Sequence, residues 1–388
     1  MTIESYAQFS IAFGFQTTIA MLTDLGFCGS IVALAGERGH DPAVVGGYIA
    51  AARHFRSRIS WFVIPGAAVC FFLLMRQHGW RWEVQVALFG SIAANILAQG
   101  INSFYGAPML IHQRLRQGYQ AQSIAASARL ILNGGLHFSQ LLSATTASWA
   151  STAATVVNAI LIRRIARPLV DEPQRADPRL RREMLQYVLP LLPGVAFTAV
   201  QGQISLFLIT IFGKQGSIAE VAALGRLGQI LAILVSLNSV IIAPYFAKLP
   251  QGGLWRRYQQ TLFVACLIAC GSIAFAFCCP EPLLWVLGPK YVHLHTEISW
   301  SIVAWGLSYV SGVMWTIHSA RRWVFWWGSM TYIAVLVISQ AVAIAVMDLS
   351  NTQSILYFNV IAASATLCVH IVTSFYGFHS AKSTGAGQ

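Results

Sequence analysis

Eleven times along this chain, apolar residues run for roughly the twenty positions that an α-helix needs to cross a bilayer. The runs fall near residues 6–34, 58–75, 84–110, 119–141, 144–165, 184–212, 219–246, 260–287, 296–318, 323–347 and 353–378. Charge is scarce between them and scarcer within. Of all residues 10% are charged and 56% hydrophobic, whereas a soluble domain carries about 25% charged residues. Too little charge is present to coat a water-facing surface, which excludes an ordinary soluble enzyme, a disordered chain and a secreted disulfide scaffold. The expected fold class is an all-α polytopic membrane protein with about eleven transmembrane helices. Runs 119–141 and 144–165 are rich in Ala, Ser and Thr, small residues that let helices approach closely in lipid.

The positive charges set a topology. If the loops alternate sides, one set holds 19 Lys and Arg and the other holds 4, with Arg129 and Arg226 left inside spans. Cytoplasmic loops collect Lys and Arg, so the N-terminus is expected outside and the C-terminus in the cytoplasm, in a bacterial inner membrane. The net charge of +12 is thereby used for orientation and for membrane lipids, and no nucleic-acid partner is expected. Val44, Val45, Tyr48, Ile49, Ala52 and Phe55 share a helical face opposite Arg53 and Arg56, a pattern that suits an interfacial helix.

One loop stands apart: residues 166–183 hold three prolines and mixed charge. It divides the chain into an N-terminal bundle of five spans (1–165), a cytoplasmic linker (166–183), a C-terminal bundle of six (184–378) and a cytoplasmic tail (379–388). Residues 3–9 and 218–224 both open a long span from the outside. In the second bundle that span is preceded by 184–212; in the first, nothing precedes it. The expectation is a 6 + 6 repeat whose first helix is missing.

Catalytic and metal signatures are absent from the sequence. There is no His-Glu-x-x-His, no Gly-x-Ser-x-Gly and no phosphate loop, and His293 and His295 lack a third metal ligand. The seven cysteines lie in or beside apolar runs and are expected as buried free thiols. No cofactor, no metal and no catalytic residue is assigned; transport, not enzymology, is the expectation.

Glu4-Ser5-Tyr6-Ala7-Gln8-Phe9 followed by Leu22-Thr23-Asp24-Leu25-Gly26-Phe27 resembles the second helix of the polysaccharide-biosynthesis, O-antigen type flippases. These move lipid-linked oligosaccharides and belong to the multidrug/oligosaccharidyl-lipid/polysaccharide exporter superfamily. Gln201-Gly202-Gln203-Ile204 through Phe212-Gly213 resembles their seventh helix, Gly225-Arg226-Leu227 with Ala243-Pro244 the eighth, and Leu284 through Tyr291 the end of the ninth. The resemblance implies flipping of a polyprenyl-pyrophosphate-linked oligosaccharide from the cytoplasmic to the outer leaflet by alternating access, for lipopolysaccharide or other surface polysaccharide. Implied partners are that substrate and a polysaccharide polymerase or other assembly proteins.

Ionisable residues inside spans are costly to insert and usually face the bundle interior. Arg129 and Arg226 can grip a pyrophosphate bidentately, and Asp24 can pair with one of them or carry a coupling ion. All three can equally be structural ion pairs. Gln201 and Gln203 flank Gly202 and suit sugar hydroxyls, being donors and acceptors at once; Gln16, Gln99, Gln122, Gln229 and Gln340 can do the same or bond between helices. Arg53, Arg56 and Arg58 are candidates for attracting an anionic headgroup at the inner opening. Pro65, Pro190, Pro193 and Pro244 are candidate hinges. Two rivals stand beside the flippase: a cation-coupled small-molecule antiporter of the same superfamily, and a membrane polymerase or ligase.

Overall fold

Helix signals in the sequence become helix boundaries. Thr2 opens α1 (Ile3–Asp24), its Oγ1 accepting from the Ser5 N–H at 3.1 Å, which satisfies one of the donors every helix start leaves open. The computed structural model describes residues 2–35, 39, 41–112, 114–173, 176–189, 192–242, 245–246, 249, 253–321, 323 and 326–385. The first apolar run is not one rod. Leu25 and Gly26 take positive φ values of 45° and 86°, and the chain restarts as α2 (Phe27–Ala35). Asp24 caps the restart, accepting from the Cys28 N–H at 3.3 Å.

Asp41 and Pro42 then start α3 (Pro42–Gln77), 36 residues long with Pro65 inside it. This corrects the expectation of a separate interfacial helix. Val45, Tyr48, Ile49 and Ala52 are completely buried, in a core shared with α2 and with α7 (Pro178–Val188). An amphipathic pattern reports that one face leaves water, not whether protein or lipid receives it. Two further helices follow, α4 (Trp82–Ile111) and α5 (Leu115–Phe138), and then α6 (Ala144–Ala166), which starts with a reciprocal Ser143–Thr146 capping pair.

The expected linker is docked. Asp171 donates its N–H to the Pro42 carbonyl at 3.0 Å, and Tyr48 donates to Glu183 at 2.9 Å. Nor is 184–212 a single helix: its helical residues fall mainly in α7, α8 (Leu192–Gln201) and α9 (Ile204–Phe212). Gly202, a poor helix former, sits at the last break, where the Gln203 N–H turns to the Val200 carbonyl three residues back. The rest of the chain forms α10 (Gln215–Leu237) with a π-turn at Asn238–Ile242, α11 (Leu254–Cys278), α12 (Glu281–Leu287), α13 (His295–Ala320), α14 (Trp326–Val346) and α15 (Thr352–Gly385).

Residues 1–207 and 208–388 form two compact units. The division lies inside α9, not at the 166–183 loop, because α7 packs on α2 and α3, and α8 packs on α1. Inside each unit the same pairing recurs. In the first, α6 packs on α4 and α5, and α4 also on α1 and α3; in the second, α15 packs on α13 and α14, and α13 also on α10 and α11. The same order of helix pairing is thus present in each unit.

Among the described helices, five stretches are long and apolar enough to cross a membrane: Ile3–Val32, α3, α4, α11 and Thr352–His379. The pair α7 and α8, bent by 63°, makes a sixth if it is one span. The exterior is correspondingly apolar, with Trp61 77%, Phe62 82% and Leu97 68% exposed. Cysteines follow this inversion and correct the burial expectation: Cys28 is buried, while Cys70, Cys266, Cys270, Cys278, Cys279 and Cys368 are exposed, all of them free. Where lipid is the surroundings, a thiol has no need to turn inward.

Candidate functional site: a polar cavity in the first unit

Helical spacing gathers polar side chains in the middle of the first unit. On α4, Asn95, Gln99, Asn102 and Ser103 recur at steps that keep one face; on α6, Ser148, Ser151, Thr155 and Asn158 do the same. With Gln16 of α1 and with Gln122 and Arg129 of α5, they line a cavity of about 480 Å³. Small residues bring the walls together. Ala147, Ala150 and Ala154 of α6 are buried, and the Ser91 and Ser148 hydroxyls share a hydrogen bond between α4 and α6. Asn95 adds a bond to the Thr155 hydroxyl at 3.0 Å and Thr152 another to the Ser91 carbonyl at 3.1 Å.

The cavity is rich in amides and hydroxyls. Among the described lining residues, Arg129 is the only charged side chain and none is an acid. The buried Oδ1 atoms of Asn102 and Asn158 have no hydrogen-bond partner among the described residues. Chemically, such a lining is complementary to a polyhydroxylated or anionic group.

Of the residues singled out from the sequence, Arg129 lies at this cavity together with Gln16, Gln99 and Gln122. Asp24 does not. It pairs with Arg56 at 3.7 Å and caps α2, so it meets a different arginine from the two expected. Gln201 and Gln203 lie at the break between α8 and α9. The Gln203 amide packs close to Gly14 of α1, where an added Cβ would stand 3.3 Å from its Oε1, and Gln201 Oε1 is buried with no partner among the described residues. Arg226 sits half-buried on α10 in the second unit. Arg53 and Arg56 line a separate groove that also contains Arg163 and does not include Arg58. Pro190, Pro244 and the Gln229 side chain lie outside the described residues.

Asn95, Asn102 and Asn158 are the contributors that span-by-span reading misses. Their signal is present in the sequence: Asn95 and Asn102 are seven apart, as are Ser151 and Asn158, two turns along one face.

The second unit uses its polar residues differently. Tyr258 of α11 and His318 of α13 both bond the Ser374 hydroxyl of α15, at 2.6 and 2.7 Å. His318 is completely buried and packs near Trp323 and His370. Of the two histidines that lack a third metal ligand in the sequence, His293 is held by Glu220 at 3.0 Å, and no group of three or more metal-ligating side chains occurs among the described residues.

No family model matches the chain, and no curated protein matches it. Solved structures do. An inward-facing multidrug resistance MATE family transporter of the MOP superfamily superposes with a TM-score of 0.70 at 12% identity, covering 98% of this chain and 92% of that one. An outward-facing MATE transporter gives 0.64 at 13% identity, covering 98% and 88%. A single-residue mutant of the Vibrio cholerae MATE transporter VcmN gives 0.53 at 14%, covering 99% and 90%. The class is thus defined by fold: an all-helical, MATE-like transporter fold, matched over nearly the whole chain.

Proposed function

We propose that this chain is a membrane transporter, not an enzyme, and that it works by alternating access. The observation that carries the reading is the fold, since its solved neighbours include both an inward-facing and an outward-facing transporter. For the cargo, two classes stand. The neighbours' names back a cation-coupled small-molecule antiporter better than a flippase. The cavity supports the other class. Arg129 among amides, with no acid in the described lining, suits a hydroxyl-rich anion such as a lipid-linked oligosaccharide, in line with the flippase resemblance. Asp24, the acid deepest in a span, is already engaged by Arg56, which weakens it as a coupling-ion site.

The orientation, inner-membrane location, domain roles and assembly partners expected from the sequence belong to this proposal. In it, Arg129 holds the diphosphate and the amides of α4, α5 and α6 meet the sugars; Gln201 and Gln203 in the first unit and Arg226 in the second are further candidates for the cargo.

One experiment separates the cargo classes. Leaflet-resolved lipid-linked oligosaccharide is measured in a host lacking its own flippase, beside cation-driven drug efflux in proteoliposomes, for the wild type, Arg129→Ala and Asp24→Asn. Clearing of the inner-leaflet pool that R129A abolishes supports the flippase. Drug efflux that follows a cation gradient, survives R129A and is lost in D24N establishes the antiporter. Inserted protein that moves neither, with the native precursor supplied, removes the transport reading.

A further inference from the structure

A second concavity of the first unit lies apart from the polar cavity and has a different chemistry. It is a groove of about 660 Å³ along α3, α4 and α6, charged at one end and apolar along the rest. Arg53, Arg56 and Arg163 mark the charged end, and Trp61, Pro65 and Leu97 the apolar stretch. Trp61 and Leu97 are among the most exposed large apolar side chains of the chain, so the stretch opens on the exterior. In the topology expected from the basic loops, Arg163 lies in the last, cytoplasmic turn of α6; Arg53 and Arg56 lie about three to four turns into α3, and the apolar stretch runs on from them toward the bilayer centre.

The charges can be summed. Arg53 is bound by Glu172 at 2.6 Å, and Arg56 by Asp24 at 3.7 Å. Arg163 has an aromatic contact, lying 5.8 Å over the Tyr105 ring, and no ion-pair partner among the described residues. Three guanidiniums against two carboxylates leave one unit of positive charge at the mouth of an apolar groove. The parts are also pre-set. Arg56 is buried, donates to the Ile96 carbonyl at 3.0 Å and lies against Gly100, where an added Cβ would stand 2.8 Å from its Nε.

We propose that this groove is a binding site for one anionic phospholipid of the cytoplasmic leaflet, its phosphate at Arg53 and Arg163 and an acyl chain along Trp61, Pro65 and Leu97. One negative headgroup cancels the residual charge; a zwitterionic headgroup leaves it. Basic pockets between membrane helices on the cytoplasmic side recognise headgroups by this chemistry. The site depends on the chain lying in a membrane and not on what the chain transports.

The test is native mass spectrometry of the full chain in detergent, titrated with phosphatidylglycerol and with phosphatidylcholine. The wild type is expected to retain phosphatidylglycerol about fivefold more strongly, the contribution of one basic residue near a headgroup. Arg163→Gln should remove that preference and Arg163→Lys restore most of it. Ser57→Trp, which fills the groove from α3, should weaken both lipids. Equal retention of the two lipids by the wild type overturns the proposal whatever the variants do. So does a preference that survives R163Q. Stronger retention of a polyprenyl diphosphate than of phosphatidylglycerol, lost in R163Q, also overturns it, by making the groove a place for cargo.

Discussion

The arginine-bearing end of the α3, α4 and α6 trio and the same end of the α11, α13 and α15 trio, which pair in the same pattern inside their own units, do opposite things with their polar side chains. In the first unit the trio leaves a groove edged by three arginines, two of them tied to carboxylates. In the second, Tyr258, His318 and Ser374 close on one another, with Trp323 and Phe378 against them. The two trios share which helices touch, not what they say chemically. Helix pairing follows from small residues and apolar volume, which many sequences supply. A hydrogen-bonded cluster needs particular partners at particular heights, so it is free to differ between copies.

Glycine contacts offer the sharpest way to break the comparison. Gly46 in α3 faces the Asp171 backbone so closely that a Cβ would overlap its carbonyl, whereas Gly271 in α11 has nothing within 4 Å. Gly46→Ala is expected to cost about 3 kcal/mol, the upper range for overpacking against an unyielding neighbour, read as a fall in melting temperature in detergent. An unchanged melting temperature would mean that the segment after α6 is not docked on α3.

Next in size is the closed cluster. His318→Ala empties a buried site and removes the bond to Ser374, for an expected loss of about 2 kcal/mol. Thermal unfolding of this variant should leave the first unit's chemistry intact, visible as unaltered cargo binding. Arg129→Ala should do the reverse, weakening an anionic cargo about tenfold, within the range for a charge-assisted hydrogen bond, with little change in melting temperature. If R129A instead destabilises the protein and binds cargo normally, the arginine is a structural strut. The smallest effect is the control: Gly271→Ala should be neutral or stabilise by up to about 1 kcal/mol, the helix-propensity gain.

Much of this is readable in the residues. All eleven apolar runs are predominantly helical within their described residues, since continuous apolarity and capping residues such as Thr2, Asp41 and Ser143 are local signals. Breaks are harder. Leu25–Gly26 and Gly202 look like ordinary interruptions in an apolar run, and only the positions of neighbouring helices make a kink preferable there. Arg129 and the glutamines of the cavity are legible because polarity inside a span is conspicuous. Asp24 is equally conspicuous and misleading, because its partner Arg56 is 32 positions away in sequence and meets it only through the packing of α1 on α3.

By itself, then, the sequence determined the solvent and the elements. A chain this poor in charge must satisfy its backbone hydrogen bonds internally and face lipid, and helices accomplish both. Tertiary structure alone decided which polar groups are satisfied and which face a cavity, where the 166–183 segment docks, and that the amphipathic face of α3 is covered by protein. Those outcomes depend on pairs of residues far apart in the chain. Hydropathy is a property of one residue at a time, while satisfaction of a hydrogen bond or a charge is a property of two.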